Sequence, residues 1–214
     1  MSKSSTPVDD DLFAFIAAAT IPEDPLLRDL RAAAAKAGLP EIHIAPEQAA
    51  FLQLVLRAAK AKTVIEVGTL GGYSAIAMAR GLPADGRVIT HEIDAHHATF
   101  ARQWIERSDQ RGKIEVRLGN AAETLGALPA ESADGMFLDA AKTGYVTYLQ
   151  HALRLLRPGG ILLADNVLAG GDVAHGTDTT PVAIRAFLDA VRATPNLRSV
   201  IVPLGDGCLF GVKQ

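Results

Sequence analysis

The chain has 214 residues, 49% of them apolar and 21% charged, with a formal net charge of −3. That balance reads as a soluble globular protein able to bury roughly 70% of its unfolded surface as one domain, and it argues against a protein built chiefly to grip phosphate backbones. The single cysteine, Cys208, excludes an internal disulfide and fits a reducing, cytoplasmic setting; no run approaches the ~18 apolar residues of a membrane span, and "MSKSSTPVDDDL" carries no apolar signal-like run.

Residues 1–60 read as helices. "LFAFIAAA" follows Asp9, Asp10 and Asp11, any of which could cap it. "DPLLRDLRAAAAKAG" has Asp24 as cap, Pro25 in the first helical position and Gly38 as its stop. "PEQAAFLQLVLRAAKA" starts at Pro46 and spaces Phe51, Leu52, Val55 and Leu56 as a helix does. From residue 63 the rhythm alternates. The strands are "TVIEVG", "GRVITHEI", "KIEVRLG", "DGMFLDA" and "GILLADNV". Between them lie the helices "GGYSAIAMARGL", "DAHHATFARQWIERS", "NAAETLGAL" and "GYVTYLQHALRLLRPGG", the last with its stop in Gly159 and Gly160. Residues 167–180 read as a loop, and "TPVAIRAFLDAVRATP" as a helix from Pro181. "LRSVIVPLGDGCLFGVK" holds two strands joined by a few turn residues, too few for a parallel crossover, so this pair must be antiparallel. The expected fold is α/β. It is a Rossmann-like, mostly parallel seven-stranded sheet with a C-terminal antiparallel hairpin, helices on both faces and an N-terminal helical extension. The chain reads as a single domain over 1–214, with the extension at 1–60 and the core at 61–214.

Ligands of open parallel sheets bind beyond the carboxyl ends of the strands. Those ends deliver Glu66 with "GTLGGYS", His91 with Glu92, Gly119 with Asn120, Asp139 with Lys142, and Asp165 with Asn166. Gly68, Gly71 and Gly72 would let a ligand approach the backbone, and Glu92 could accept from both hydroxyls of a ribose. Together they indicate a nucleoside-containing cofactor. No Gly-Lys-Ser/Thr follows the loop, so a nucleoside triphosphate is not expected. Asp139, Asp165 and Asn166 offer hard oxygen ligands suited to Mg²⁺, which leaves Lys142 free for proton work. The plain alternatives are a salt bridge between Asp139 and Lys142, a turn at Asp165-Asn166, and a capping role for Glu92. Asn120, with Glu123 three residues on, reads as a helix cap. His91, His96, His97 and His151 read as surface or helix-packing residues, while His175 could line a substrate mouth. Tyr73, Tyr145 and Tyr148 read as core or interface, with Tyr145 near enough to Lys142 to border the pocket. Cys208 reads as a buried strand residue.

"VIEVGTLGGYSAIAMA", "ITHEID", "FLDAAKTGY" and "LLRPGGILLADNVL" resemble the cation-dependent class I O-methyltransferases that use S-adenosylmethionine, the catechol and caffeoyl-CoA O-methyltransferases and their small bacterial relatives. The resemblance spans about residues 40–214. It implies cofactor contacts at Ile44, Glu66, Gly68, Thr69, Tyr73, Ser74, Glu92, Ala121 and Asp139. It implies a divalent metal (Mg²⁺ first, Mn²⁺ or Ca²⁺ next) on Asp139, Asp165 and Asn166, with Lys142 as base and Asp139 beside it in the catalytic set. It also implies a catechol-like small-molecule acceptor and a homodimer; the short apolar runs argue against a membrane and the net charge of −3 argues mildly against a nucleic-acid partner. A non-catalytic scaffold would not need Lys142 together with three metal ligands, and all four are present; two other functions compete. One keeps cofactor and metal but methylates a hydroxyuridine in tRNA; the other is a nicotinamide-dependent oxidoreductase, against which the incomplete G-x-G-x-x-G spacing speaks.

Overall fold

Val64, in the strand Thr63–Val67 (β1), enters one apolar cluster, while Ile65 and Val67 enter another. That alternation, with both sides apolar, is what a sheet covered on both faces requires. The computed structural model describes residues 6–20 and 22–214; residues 1–5 and 21 of the expected extension lie outside the described residues. After β1 come β2 (Arg87–Glu92), β3 (Ile114–Leu118), β4 (Ala133–Leu138), β5 (Leu156–Ala164), β6 (Leu197–Val202) and β7 (Cys208–Lys213). They form one seven-stranded sheet in the order β3-β2-β1-β4-β5-β7-β6. The first five strands are parallel, and β7 is antiparallel to both β5 and β6, as expected.

The helices are α1 (Asp10–Ala19), α2 (Pro25–Lys36), α3 (Pro46–Ala58), α4 (Tyr73–Gly81), α5 (Ala95–Arg107), α6 (Ala121–Thr124), α7 (Tyr145–Leu155) and α8 (Thr179–Arg192). On one face α2, α3, α4 and α5 pack Leu30, Leu52, Ile76 and Ala101 against Val64, Val88, Phe137 and Leu163. On the other, α7 and α8 pack Leu149, Ile184 and Phe187 against Ile65, Met136, Leu138 and Leu162. Asp9 caps α1 by accepting from Leu12 N at 2.9 Å, but α1 itself buries no residue. Asp24 caps α2, accepting from Leu26 N at 2.9 Å.

Three local details depart from the expectations. The helix α7 stops at Leu155, and "LRPGG" belongs to β5. Pro158 holds the residue before it extended, so the helix cannot run through it. The loop after Asn166 contains a short 3₁₀ stretch, Ala169–Ala174. The helix α8 begins at Thr179, with Pro181 already in its first turn. Among the described residues no helix is long and apolar enough to cross a membrane.

Candidate active site

Strand order reverses between β1 and β4: β2 and β3 lie on one side of β1, and β4 and β5 on the other. Hydrogen bonds continue past the strand ends there. Gly68 N donates to His91 O at 3.0 Å, Asp139 N to Val67 O at 2.9 Å, and Asp165 N to Leu138 O at 2.9 Å. The ladder thus fixes the first residue beyond each strand. Gly68 has φ +102, and a Cβ there would run into the carbonyl oxygen of Asp139, so only glycine lets the β1 and β4 ends close to this degree. A cavity of about 750 Å³ opens along this edge. It falls within the range of ~300–1,000 Å³ usual for small-molecule sites.

Ile44, Gly68, Thr69, Tyr73, Ser74, Glu92, Ala121, Asp139, Lys142, Asp165 and Asn166 all line that cavity. Glu66 does not. It stands fully buried behind Ser74, whose Oγ donates to Glu66 Oε1. Burial pushes the Glu66 carboxyl up to about 8 against the hydrogen bonds of Ser74 and Thr90, so it is a neutral acid near pH 7. Its Oε2 has no partner. Glu92 is organised by the backbone: Oε2 accepts from Leu70 N at 2.8 Å, and Oε1 from Ile93 N and Asp94 N at 2.9 Å. The glycine loop is thereby tied to the carboxylate of a residue on the cavity wall. Asn120 caps α6, accepting from Ala122 N at 3.0 Å, and this leaves Ala121 on the wall.

At the β4 and β5 ends Lys142 Nζ donates to Asn166 Oδ1 and to the Tyr145 hydroxyl oxygen, each at 2.7 Å, and lies 3.5 Å from Asp139 Oδ1. The Tyr145 hydroxyl in turn donates to the carbonyl of Leu138 at 2.9 Å or of Asp165 at 3.1 Å. Asn166 sits at φ 56, a left-handed conformation that asparagine tolerates better than most residues, and its side chain turns back to Lys142. Burial lowers the Lys142 pKa against the pull of Asp139 and Asp165. Burial, then the charge of Asp165, pushes Asp139 up to about 6. Asp165 is also raised by burial, opposed by a hydrogen bond from Gln48 Nε2. Among the described residues no three His, Cys, Asp or Glu side chains gather as a metal site; the third oxygen here is an amide.

Tyr148, read as core or interface, lines the cavity, as do Gln48, Gly205 and Asp206, which carry no signal in the sequence reading. His91 corrects it. The residue is buried at the end of β2 and not at the surface; it meets helix α6 at Thr124 and also lies on the cavity wall. Its Nδ1 lies 2.8 Å from Thr124 Oγ1, its Nε2 is unpartnered, and burial lowers its pKa to about 4. Both faces of β2 are covered, so a strand residue of either parity is buried there. His175 is exposed and stands off the wall. Tyr145 is fully buried behind Lys142, outside the cavity lining. Cys208 is buried, its thiol pushed up to about 12, so it offers no thiolate near neutrality.

A family model described as O-methyltransferase matches residues 17–214. Among curated proteins, a catechol O-methyltransferase of Niastella koreensis is 43% identical over 197 residues, which cover 90% of this chain and 87% of that protein. A catechol O-methyltransferase of Mycobacterium tuberculosis is 37% identical over 203 residues, covering 94% and 92%. Among solved structures, an O-methyltransferase from Bacillus cereus in complex with SAH superposes with a TM-score of 0.87 at 34% identity, covering 94% of this chain and 96% of that one.

Proposed function

The chain belongs to the O-methyltransferase family and is an S-adenosylmethionine-dependent O-methyltransferase, and from that premise we propose that it methylates one hydroxyl of a catechol-like small molecule with the help of a divalent metal. The observation that carries the finer reading is the convergence of Lys142, Asp139, Asp165 and Asn166 on one side of the cavity that Gly68 and Glu92 also line.

The donor set suits a hard cation. Asp139 and Asp165 are carboxylates raised by burial, and the amide oxygen of Asn166 has the Lys142 ammonium 2.7 Å away. These oxygens would hold Mg²⁺, Mn²⁺ or Ca²⁺. Held by these residues, a divalent cation would supply a Lewis acid that makes a catechol hydroxyl more acidic. S-adenosylmethionine would supply a sulfonium methyl group, the acceptor oxygen forming the new bond to it as the carbon–sulfur bond breaks and S-adenosylhomocysteine leaves.

The chain's own residues would then do the following. The backbone at Gly68 and Thr69, with Ile44, Tyr73, Ser74 and Ala121, would hold the cofactor, and Glu92 would accept its ribose hydroxyls. Glu66 would support Ser74 from behind. Lys142 Nζ would take the hydroxyl proton, helped by a pKa that burial lowers. Asp139 would keep Lys142 within reach. Much of the rate would come from holding acceptor and methyl in line.

The same reading takes the chain as one domain, with the extension at 1–60 and the core at 61–214. The burial of Leu30 and Leu52 in the core cluster supports it. It also takes the protein as cytoplasmic and as a homodimer, and exposed Val200 and Ile201 on the edge strand β6 support the homodimer. A tRNA acceptor is disfavoured, because Lys142 is the one lysine or arginine among the described residues that line the cavity. The test is methyl transfer from S-adenosylmethionine to a simple catechol, with Mg²⁺ and with excess EDTA, for the wild type and Lys142→Ala. Turnover that persists in EDTA would remove the metal from the proposal.

A further inference from the structure

The cavity wall changes character along the sheet edge. At the β2 end stand Glu92 and His91; at the opposite end β7, antiparallel to β5 with Leu209 beside Ala164, returns the β6–β7 turn to the same edge. That turn places Asp206 on the wall, half-buried. Its Oδ1 accepts from Gly170 N at 2.8 Å, and its carbonyl from Leu168 N at 3.0 Å, so the loop after Asn166 holds it in place. Its charge reaches both Lys142 and Asp165.

The charges of the wall are lopsided. Glu92, Asp139, Asp165 and Asp206 face it, with Lys142 as the one lysine or arginine among the described lining residues. Arg31 acts on His43 and Tyr73, and Arg117 on His91, but neither arginine lines the cavity. A sulfonium and a divalent ion would offset most of the negative charge. They would leave Asp206 facing whatever substituent the acceptor carries, with no cation to receive an anionic one.

On the reading of a metal-assisted catechol methyltransferase given above, we propose that Asp206 sets the charge class of the acceptor: a catechol with a cationic or neutral side chain, and not one ending in a carboxylate or phosphate.

The test uses catechols bearing an aminoethyl, a hydroxyethyl or a carboxymethyl group, which differ in charge at similar size. kcat/KM is measured at low and high salt for the wild type and Asp206→Asn, whose amide oxygen can still accept from Gly170. The expected order is aminoethyl, hydroxyethyl, carboxymethyl, with roughly tenfold between the extremes at low salt and less at high salt. The ratio of the extremes should fall toward one in Asp206→Asn. The wild-type ratio and its compression by salt need no variant. Turnover that ignores charge, a preference for the carboxymethyl compound, or a ratio unchanged in Asp206→Asn would overturn this inference while leaving the catechol reading intact. Failure to methylate any of them would remove that reading and this inference with it.

Discussion

Gln48 Nε2 donates to Asp165 Oδ1, joining α3 to the end of β5 across 117 positions of sequence. Both residues are buried on the cavity wall, and the bond engages one oxygen of Asp165, which leaves the other for a cation. Gln48→Leu keeps a similar volume but removes the donor. Partners of this kind typically alter metal affinity 10–100-fold. The expected outcome is Mn²⁺ binding weaker by at least about tenfold, read by calorimetric titration without cofactor or acceptor. An affinity within twofold of the wild type would deny Gln48 that role.

Glu66 makes stability depend on pH. Its carboxyl is raised from 4.5 to about 8 in the folded chain. Between those values the folded state keeps a proton that the unfolded state has released, so the contribution of Glu66 to stability is full below pH 4.5 and is lost as pH rises toward 8. Glu66→Gln is uncharged throughout and should flatten that slope, worth up to a few kcal/mol at this fully buried site. Urea unfolding of both proteins at pH 5.5 and pH 8 reads the difference; parallel slopes would contradict it.

The candidate site divides into residues that local pattern reveals and residues that it hides. Asp139, Asp165 and Glu92 stand out because each ends an apolar run, and parallel strands deliver their ends to one edge. Gln48 could not be found that way, since it sits in a helix of ordinary apolar spacing and its partner is remote. Asp206 lies between Gly205 and Gly207, where its residue type explains a turn and says nothing of the cavity the turn faces. His91 is hidden when only metal-like spacing is counted; the cover on both faces of β2 is what buries it. The start of β5 was missed because Gly159 and Gly160 resemble a helix stop, although Pro158 had already ended the helix.

Gly68→Ala should separate the β1 and β4 ends. The added Cβ meets the backbone of Asp139, which no rotamer can relieve, at a φ of +102 that alanine resists. Strain of this kind costs on the order of 1–3 kcal/mol, before any overlap is counted. A lowered melting temperature and SAH binding weakened by at least about tenfold are expected. Wild-type SAH affinity in a folded variant would show that the close approach of these ends does not shape the cofactor site.

Lys142 can act through its charge or through its lone pair, and two substitutions separate the possibilities. Burial lowers its pKa below 10.5, so the neutral amine needed to accept a proton becomes common at lower pH than for a free lysine. The rate should therefore rise with pH along a limb with an apparent pKa below 10.5, and Lys142→Met should lose both that limb and about 10²–10⁴-fold in kcat. Lys142→Arg keeps the positive charge and a donor for Asn166, but a guanidinium does not release its proton in this range. If Lys142 accepts the proton, Lys142→Arg should be nearly as slow as Lys142→Met, with cofactor affinity retained. A fast Lys142→Arg enzyme with its pH limb gone would assign the residue to electrostatic support and pass the proton to solvent.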